Sequence, residues 1–278
     1  MNPMIIFHHN DLDGRCSAAI MVRYAKEHDI PILKCVELDY KETVPVEDIP
    51  PNATVAIVDF SFKPDTMKAV EQRAARIIWC DHHVTAKNYG YHFDGYQDFS
   101  DKGLAGCECT WKFCFPNERI PYAALLIGDY DAWRLKEQPT CFEFYEGMKL
   151  RPQNPLAVEW QALFSLDSIG EEREIISDGS VCIQYRDAYC AEIATAFGYE
   201  IELDGHHAFA MNLYRFGSKQ FGGKFHQYPV CVAYIHDGTK FTVSLFSEAV
   251  DVSAIAKNHG GGGHRGAAGF TCKTLPWA

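Results

Sequence analysis

No apolar run in the sequence approaches the roughly 18–20 residues needed to cross a bilayer, so we expect no membrane-spanning segment. Positive charge is also scarce: 26 lysines and arginines stand against 37 acidic residues, giving a formal net charge of −11. Long duplex nucleic acid needs a basic surface, so this balance disfavours it as a partner. Residues 1–7 lack the basic start of a signal peptide, which predicts a cytoplasmic protein.

Several catalytic and cofactor signatures are missing as well. The chain has no phosphate-binding P-loop, no motif for a nucleophilic serine or cysteine, and no Rossmann glycine fingerprint after its first apolar run. The 11 cysteines are scattered and odd in number, which favours free thiols over a disulfide framework. Cys107-Glu108-Cys109 is too tightly spaced for a zinc knuckle, so a structural role is expected there.

The sequence contains enough hydrophobic residues to form a packed core. Hydrophobic residues make up 47% of the 278 residues, a length that suits one large domain or two ordinary ones. Residues 4–83 show the order strand, helix, strand, strand, helix, strand, which predicts an α/β fold with a parallel, Rossmann-like sheet. The predicted strands cover residues 4–7, 31–38, 54–58 and 75–80, and the predicted helices cover residues 16–26 and 64–76.

The remaining sequence predicts a second, smaller α/β domain. Residues 88–106 have the composition of a loop, and residues 175–200 read as a helix that connects the two domains. The predicted division is a catalytic domain at 1–174, the connecting helix, and a substrate-binding domain at 201–278. Within the last domain, strands are expected at 208–214, 230–236 and 241–246, and a helix at 252–258.

The strongest local signal is Asp81-His82-His83, which directly follows the apolar run at residues 75–80. Open α/β sheets place their sites in the crevice at the carboxyl ends of strands, so these side chains are expected to point into it. Alone, such a triplet also fits an ordinary loop. It gains weight because three other acidic clusters each follow an apolar run. Those clusters contain His9, Asp11, Asp13, Asp59 and Asp129.

The first and last of these clusters leave alternatives open. His9, Asp11 and Asp13 alternate, and in an extended segment they would share one face. Three such groups on one face repel each other unless a cation lies between them; the alternative is a solvated acidic turn. In the last cluster, Asp129 directly follows the apolar segment and is the favoured ligand, whereas Asp131 is favoured as a helix or turn cap.

The candidate ligands combine four carboxylates with two imidazoles: His9, Asp11, Asp13, Asp59, His82 and Asp129. Oxygen ligands with some nitrogen suit Mn²⁺, suit Mg²⁺ less well, and leave Zn²⁺ possible. Six protein ligands exceed the usual share of one ion and suit two, which would activate a water molecule for attack on phosphorus. Because no nucleophile motif is present, the expected reaction is hydrolysis of a phosphate ester or anhydride.

Near the C-terminus, four consecutive glycines at residues 260–263 precede His264 and Arg265. Glycines lack a Cβ and permit positive φ, so the N–H groups of this loop can form an anion nest. His264 and Arg265 add donors that suit phosphate. The alternative is a flexible glycine-rich turn.

The order of these motifs resembles that of the DHH phosphoesterase superfamily. The matching residues are His9-x-Asp11-x-Asp13-Gly14, Asp59, Asp81-His82-His83 and Asp129, followed by a glycine run with His264-x-x-Ala-Ala-Gly. The glycine motif is similar to the C-terminal subdomain of the RecJ-like and NrnA-like branches. The resemblance covers nearly the whole chain, and the combination of motifs is specific. It implies two domains around a cleft, with a dinuclear Mn²⁺ site on the larger one and Mg²⁺ as a possible substitute.

The resemblance also implies a role for each matching residue. One ion is implied at His9 and Asp11, the other at Asp13, His82 and Asp129, and Asp59 would bridge them. His83 would contact the scissile phosphate, and Asp81 would orient the histidines.

In the smaller domain, the resemblance implies that the glycine loop holds a phosphate of the substrate. The residues implied there are Gly261, Gly262, Gly263, His264 and Arg265. Relatives often carry an arginine in the strand before this loop, where the present chain has Phe246. Because phenylalanine cannot bind phosphate, either Arg215 or Arg265 is expected to take over that role, or the substrate differs.

The leading hypothesis is a metal-dependent phosphodiesterase that acts on short oligonucleotides or (cyclic) dinucleotides. A homodimer is left open. A phosphomonoesterase, an exopolyphosphatase or a pyrophosphatase-type hydrolase is the alternative with the same chemistry. A different class, a non-catalytic nucleotide-binding or metal-binding module, also stays open.

Overall fold

The computed structural model describes residues 2–165 and 169–277. Contacts within the chain divide it into two compact units, one ending at Val181 and one beginning at Cys182. The point of division lies inside one long helix, α7 (Ile169–Phe197). The domain boundaries predicted at residues 174 and 200 stay a prediction.

A parallel sheet forms the centre of the first unit. Its strands are β1 (Met4–His9), β2 (Ile32–Leu38), β3 (Thr54–Val58), β4 (Arg76–Asp81) and β5 (Asp94–Gln97). Their order across the sheet is β2-β1-β3-β4-β5, and all neighbouring strands are parallel. The predicted α/β class with a parallel sheet is confirmed.

Strand β5 lies within residues 88–106, a segment whose composition predicted a loop. It is short and polar, and among the described strands it pairs with β4 alone, at one edge of the sheet. An edge strand of four residues needs no apolar run, so hydrophobic patterning gives no signal for it.

The side chains of β1, β3 and β4 alternate between two hydrophobic clusters, because successive residues of a strand point to opposite faces of a sheet. Ile6, Ala56 and Ile78 belong to one cluster, and Phe7, Ile57 and Trp79 belong to the other. Since helices and loops cover both faces, these strands are apolar at nearly every position. This explains why they read as continuous apolar runs in the sequence.

The α-helices described in the first unit are α1 (Leu12–Glu27), α2 (Pro64–Glu71), α3 (Gly106–Cys114), α4 (Tyr122–Asp131), α5 (Thr140–Met148) and α6 (Glu159–Leu163). Helix α1 begins four residues before its predicted start. Asp11 caps it, because its carboxylate accepts the N–H of Gly14 at 2.9 Å. Asp13 therefore lies in the first helical turn, and the predicted extended arrangement of His9, Asp11 and Asp13 is wrong.

The second unit contains most of α7 and a mixed sheet. Its further elements are β6 (Tyr199–Leu203), β7 (His206–Met211), β8 (Val230–His236), β9 (Phe241–Phe246), α8 (Val252–Asn258), β10 (Gly262–His264) and β11 (Ala267–Cys272). The strand order is β10-β11-β9-β8-β7-β6. Among the described strands of this second sheet, β7 and β8 are the one parallel pair, and the other neighbours are antiparallel.

Two expectations from composition can be compared directly with this structure. Across residues 2–165 and 169–277, no helix combines the length and the apolar character that a bilayer crossing requires. All 11 cysteines are free, and Cys107 and Cys109 lie buried in the core.

Candidate metal centre

The predicted ligands of the first unit lie at the carboxyl ends of three adjacent strands. β1 ends at His9, Asp59 follows β3, and His82 follows β4. Because these strands are parallel neighbours, their ends meet at one edge of the sheet. His82 Nε2 lies 3.2 Å from Asp59 Oδ1, and His9 Nδ1 lies 3.8 Å from Asp59 Oδ2.

The side chains at this edge form three overlapping groups, in each of which one ligand atom per residue lies within 4.8 Å of the others. We call their members the ligand cluster. The groups are His9, Asp11 and Asp59; Asp13, His82 and Asp131; and Asp59, His82 and His83. Asp59 and His82 each belong to two groups, so neighbouring cation positions would share ligands.

The structure corrects the sequence-based choice at the fourth acidic motif. Asp129 and Asp131 both lie in α4, but residues two apart on a helix face different sides. Asp129 Oδ2 accepts the N–H of Glu137 at 2.8 Å, and its other oxygen lies 3.7 Å from Arg134 Nε. Asp131 Oδ2, in contrast, lies 3.3 Å from His82 Nε2. The place in the ligand cluster that the sequence analysis gave to Asp129 therefore belongs to Asp131.

Asp59 is the most constrained member of the ligand cluster. It is 1% exposed, its φ is +51°, and neither carboxylate oxygen accepts a hydrogen bond from the part of the chain that the structure describes. Burial, together with the nearby carboxylates of Asp13 and Asp11, raises the pKa of Asp59 well above its usual value. A strained, buried acid without a donor is typical of a functional site, and a cation would satisfy it.

Asp131 is likewise a largely buried acid close to other carboxylates. Burial, with the charges of Asp13 and Asp11, raises its pKa to about 8. Carboxylate oxygens and imidazole nitrogens thus converge on a small volume, where burial and repulsion among the carboxylates outweigh the nearby charges of His83 and Arg134. This donor set fits divalent cations with a preference for oxygen and nitrogen ligands. The first two groups of the ligand cluster would each hold one ion.

The N-terminus of α3 fixes the carboxylate of Asp13. The N–H of Gly106 donates to one oxygen at 2.7 Å, and the N–H of Cys107 donates to the other at 2.8 Å. Gly106 also leaves room for Asp59, since a Cβ at position 106 would lie 2.5 Å from Asp59 Cβ and Oδ1. Neither Gly106 nor Cys107 was predicted from the sequence to hold a residue of the ligand cluster in place. The glycine at the start of a helix was the available signal, but nothing local connects it to residues 13 and 59.

We expect Gly106→Ala to weaken Mn²⁺ binding about 10-fold to 100-fold, the usual effect of disturbing residues that support metal ligands. The new methyl group would displace Asp59 or shift α3 away from Asp13. Isothermal titration with Mn²⁺ measures the change. Gly170→Ala is the matched control, because a Cβ at that helical position meets no atom within 4 Å. Equal affinities for the two variants would contradict the supporting role of Gly106.

Asp81 orients the two histidines that follow it. It is fully buried, and its Oδ1 accepts the N–H groups of His82 and His83 and also His83 Nδ1, the last at 2.8 Å. Ser61 donates its hydroxyl to the other oxygen. Burial alone would raise the pKa of Asp81, but the hydrogen bonds from His83 and Ser61 hold it below the usual value. Burial likewise opposes the charge of His83, and the bond to Asp81 outweighs it and raises the pKa of His83.

The predicted phosphate-binding residues belong to the second unit. Gly262, Gly263 and His264 form the exposed hairpin strand β10. The N–H of Gly261 is not free for an anion, because it donates to the carbonyl of Ala256 at 2.8 Å. The remaining predicted donor, Arg265, is exposed beside the hairpin turn.

Arg215 lies next to the position where relatives were expected to carry an arginine. It lines a cavity of about 160 Å³ together with Phe246 and Ser244. Its φ is +90°, an unusual conformation for a residue with a side chain. Arg215 is therefore near enough to Phe246 to serve the same cavity.

Comparison with known proteins agrees with the geometry of the first unit. Residues 3–127 match the DHH family, N-terminal domain. The chain is also similar to the uncharacterized protein R106 of Acanthamoeba polyphaga mimivirus, with 25% identity over 234 residues, or 79% of this chain and 53% of that protein. The chain thus spans about half the length of this curated relative.

Solved structures with a similar fold cover nearly the whole chain. The DHH domain of a member of the s1p family of ribosomal proteins matches 96% of this chain and 82% of its own, with a TM-score of 0.62 and 14% identity. PggH, a pGpG-specific phosphodiesterase from Vibrio cholerae, matches 98% and 93%, with a TM-score of 0.57 and 10% identity. Exonuclease RecJ bound to manganese matches 96% and 85%, with a TM-score of 0.54 and 13% identity. At these identities the likeness shows the fold.

Proposed function

We propose that this chain, whose residues 3–127 match the DHH family, N-terminal domain, is a DHH phosphoesterase that hydrolyses phosphodiester bonds of short oligonucleotides or (cyclic) dinucleotides. The observation that carries this proposal is the ligand cluster, in which Asp59 is shared by two groups of carboxylates and imidazoles. These residues would hold divalent cations, whose positive charge would lower the pKa of a water nucleophile and stabilise phosphoryl oxygens.

Two ions fit the ligand cluster better than one. His9, Asp11 and Asp59 would hold the first, and Asp13, His82 and Asp131 the second. Mn²⁺ is the proposed ion, with Mg²⁺ as a substitute, because mixed oxygen and nitrogen ligands suit Mn²⁺. The similar fold of RecJ, whose structure contains manganese, supports the same choice.

His83 is the proposed donor to the substrate phosphate. Because the carboxylate of Asp81 accepts from Nδ1, the second ring nitrogen, Nε2, is left to face another group. In the metal-free protein the hydrogen bond to Asp81 raises the pKa of His83, and a protonated ring held by Asp81 can donate its Nε2–H to a phosphoryl oxygen or to the leaving oxygen. Asp81 acts by fixing the orientation of this ring.

The second unit is proposed to bind another phosphate of the substrate. His264 and Arg265 are exposed donors at the β10–β11 hairpin, and Arg215 lies beside Phe246. A planar guanidinium can bind phosphate through two hydrogen bonds, which Phe246 cannot do.

The test measures nucleotide release from short 5′-labelled RNA and DNA oligomers, cleavage of linear and cyclic dinucleotides, and phosphate release from inorganic polyphosphate. Each reaction is run with Mn²⁺, with Mg²⁺ and with chelator. Metal-dependent cleavage of dinucleotides or short oligomers supports the proposal. The dependence of the rate on oligomer length shows how many nucleotides the protein contacts. Hydrolysis of polyphosphate alone would refute the phosphodiesterase and support an exopolyphosphatase. Metal binding without any hydrolysis would support a non-catalytic binding module.

We expect Mn²⁺ affinity to fall about 10-fold per pH unit, for each proton displaced, as pH decreases from about 8 to about 6. The pKa of Asp131 is raised to about 8, so this group carries a proton below that pH in the metal-free protein, and the cation must displace it. Titrations with Mn²⁺ at several pH values, in buffers of different ionisation enthalpy, count the released protons. Asp131→Asn should flatten the dependence, and an affinity independent of pH in the unaltered protein would refute the expectation.

A further inference from the structure

Beside the ligand cluster lies a cavity of about 540 Å³ that the metal-centre chemistry does not use. The segment after β2 forms one side of it, and the segment from Phe60 to the first turns of α2 forms the other. Its volume lies within the range of sites that hold drug-sized or cofactor-sized molecules. All residues that line it belong to the first unit.

Tyr40 stands where this cavity meets the ligand cluster. Its ring centroid lies 5.4 Å from that of His9 and 5.8 Å from that of His83, and it also lines the cavity. A substrate whose phosphate contacts His83 would therefore extend past Tyr40 when its next group enters the cavity.

The ring of Tyr40 is held in place but not covered. It stacks on the buried ring of Phe60, with centroids 4.5 Å apart and planes inclined by 20°. Tyr40 nevertheless remains 46% exposed, which is unusual for an aromatic residue that only fills a core. A rigid ring with a free surface is the arrangement on which nucleic-acid bases stack in single-strand binding sites.

The polar lining suits a nucleoside rather than a purely apolar group. Lys41 and Lys63 are exposed cations on opposite sides of the cavity, and Thr43 and Thr66 add hydroxyl groups. Three carboxylates also line it, those of Asp39, Glu42 and Asp65, and they can accept hydrogen bonds from the sugar or the base edge. Lysine can attract the phosphates of a nucleotide, and hydroxyl groups can donate to or accept from the sugar and the base edge.

We propose that this cavity binds the nucleoside next to the scissile phosphate and that Tyr40 stacks on its base. This inference rests on the proposed function, since it places the scissile phosphate at the ligand cluster. Tyr40 would then determine specificity, because its ring would increase the affinity for a substrate that has a base. The ring takes no part in the reaction at phosphorus, which involves the ligand cluster and His83.

The test compares binding of adenosine 5′-monophosphate with binding of ribose 5-phosphate, which lacks the base, to the Mn²⁺-loaded full chain. In the unaltered protein the nucleotide should bind about 5-fold to 150-fold more tightly, the range that stacking of one base gives. Tyr40→Ala should bring the two dissociation constants close together, whereas Tyr40→Phe should keep most of the difference. Tyr96→Ala, which removes a partly exposed tyrosine from β5 at the opposite edge of the sheet, is the matched control.

The outcomes separate this inference from the proposed function. No preference for the nucleotide, no binding of either compound, or a preference that survives in Tyr40→Ala would each overturn the role of Tyr40. A preference that depends on Tyr40 in a protein that hydrolyses no phosphodiester would support the base site and refute the proposed activity. In an active protein, Tyr40→Ala should also reduce the advantage of a dinucleotide over an analogue with one base removed.

Discussion

Asp59→Asn should abolish metal-dependent activity and at the same time make the metal-free protein more stable. A proposed metal ligand loses its charge, and we expect the rate of hydrolysis to fall by at least about 1,000-fold, which corresponds to several kcal/mol of lost stabilisation. Asparagine keeps the shape of the side chain and tolerates the positive φ of 51° at this position. The loss is therefore a loss of charge and not of backbone geometry.

The gain in stability follows from the same burial. Asp59 is 1% exposed among other carboxylates and accepts no hydrogen bond from the described residues. A buried polar group without a partner costs about 1–3 kcal/mol, and more if it is charged. Asparagine keeps the polar group and removes the additional cost of the charge, which here includes repulsion from Asp13 and Asp11. For a chain of this size, each kcal/mol should raise the melting temperature by about 2–4 °C. Thermal unfolding with chelator measures the gain, and unfolding with Mn²⁺ should favour the unaltered protein instead.

The sign of the pH dependence provides a second measurement on Asp59→Asn. The folded-state pKa of Asp59 is raised, so the unfolded chain releases this proton more readily and the unaltered protein loses stability as pH rises above the unfolded-state value of about 4. The advantage of the variant should therefore grow from about pH 4 toward neutrality. A variant that is less stable than the unaltered protein in chelator at neutral pH would show that Asp59 is stabilised by contacts within the chain.

Asp131→Asn and Asp129→Asn should have opposite consequences, although the residues are only two positions apart. Asp131 lies 3.3 Å from His82 Nε2, so its replacement removes a proposed metal ligand and should reduce Mn²⁺ affinity by about 100-fold or more. Asp129 lies away from the ligand cluster and accepts the N–H of Glu137. Its replacement should leave Mn²⁺ affinity within about threefold and destabilise the fold by about 1–3 kcal/mol, because a charge-assisted hydrogen bond and a contact with Arg134 are weakened.

Two measurements on the same pair of variants separate the roles. Calorimetric titration with Mn²⁺ reports ligand loss, and urea unfolding in chelator reports the structural contribution. If Asp129→Asn loses the metal and Asp131→Asn keeps it, the sequence-based choice of Asp129 was right and the ligand cluster must rearrange when cations bind. If both lose it equally, α4 acts as a unit and neither carboxylate can be assigned alone.

Hydrophobic patterning predicted the central strands well because β1, β3 and β4 are covered on both faces. Runs such as residues 54–58 have no polar position to interrupt them, so their location and type can be read directly. The same reasoning failed for β5, where an edge position removes the need for apolar residues. The predicted α1 was also four residues too short at its start, because Asp11 was interpreted as part of an extended segment and not as the cap of the helix.

The candidate site was predictable to the extent that it follows strand ends. Asp59, His82 and His83 come directly after buried parallel strands, and parallel topology alone brings them to one edge. Asp131 was not predictable in this way. It lies at the end of a helix, and which of two nearby acids faces the cluster depends on how that helix is rotated against its neighbours.

By itself, then, the sequence determined the parallel α/β architecture of the first unit, the acidic and histidine residues available for metal, and the class of chemistry they permit. These follow from periodicity and ligand type, which are local properties. The tertiary structure decided which acids converge, how the N–H groups of Gly106 and Cys107 hold Asp13, and where Tyr40 meets the ligand cluster. Such contacts join segments tens of residues apart, and they depend on helix rotation and loop path, which are fixed only when the whole core packs.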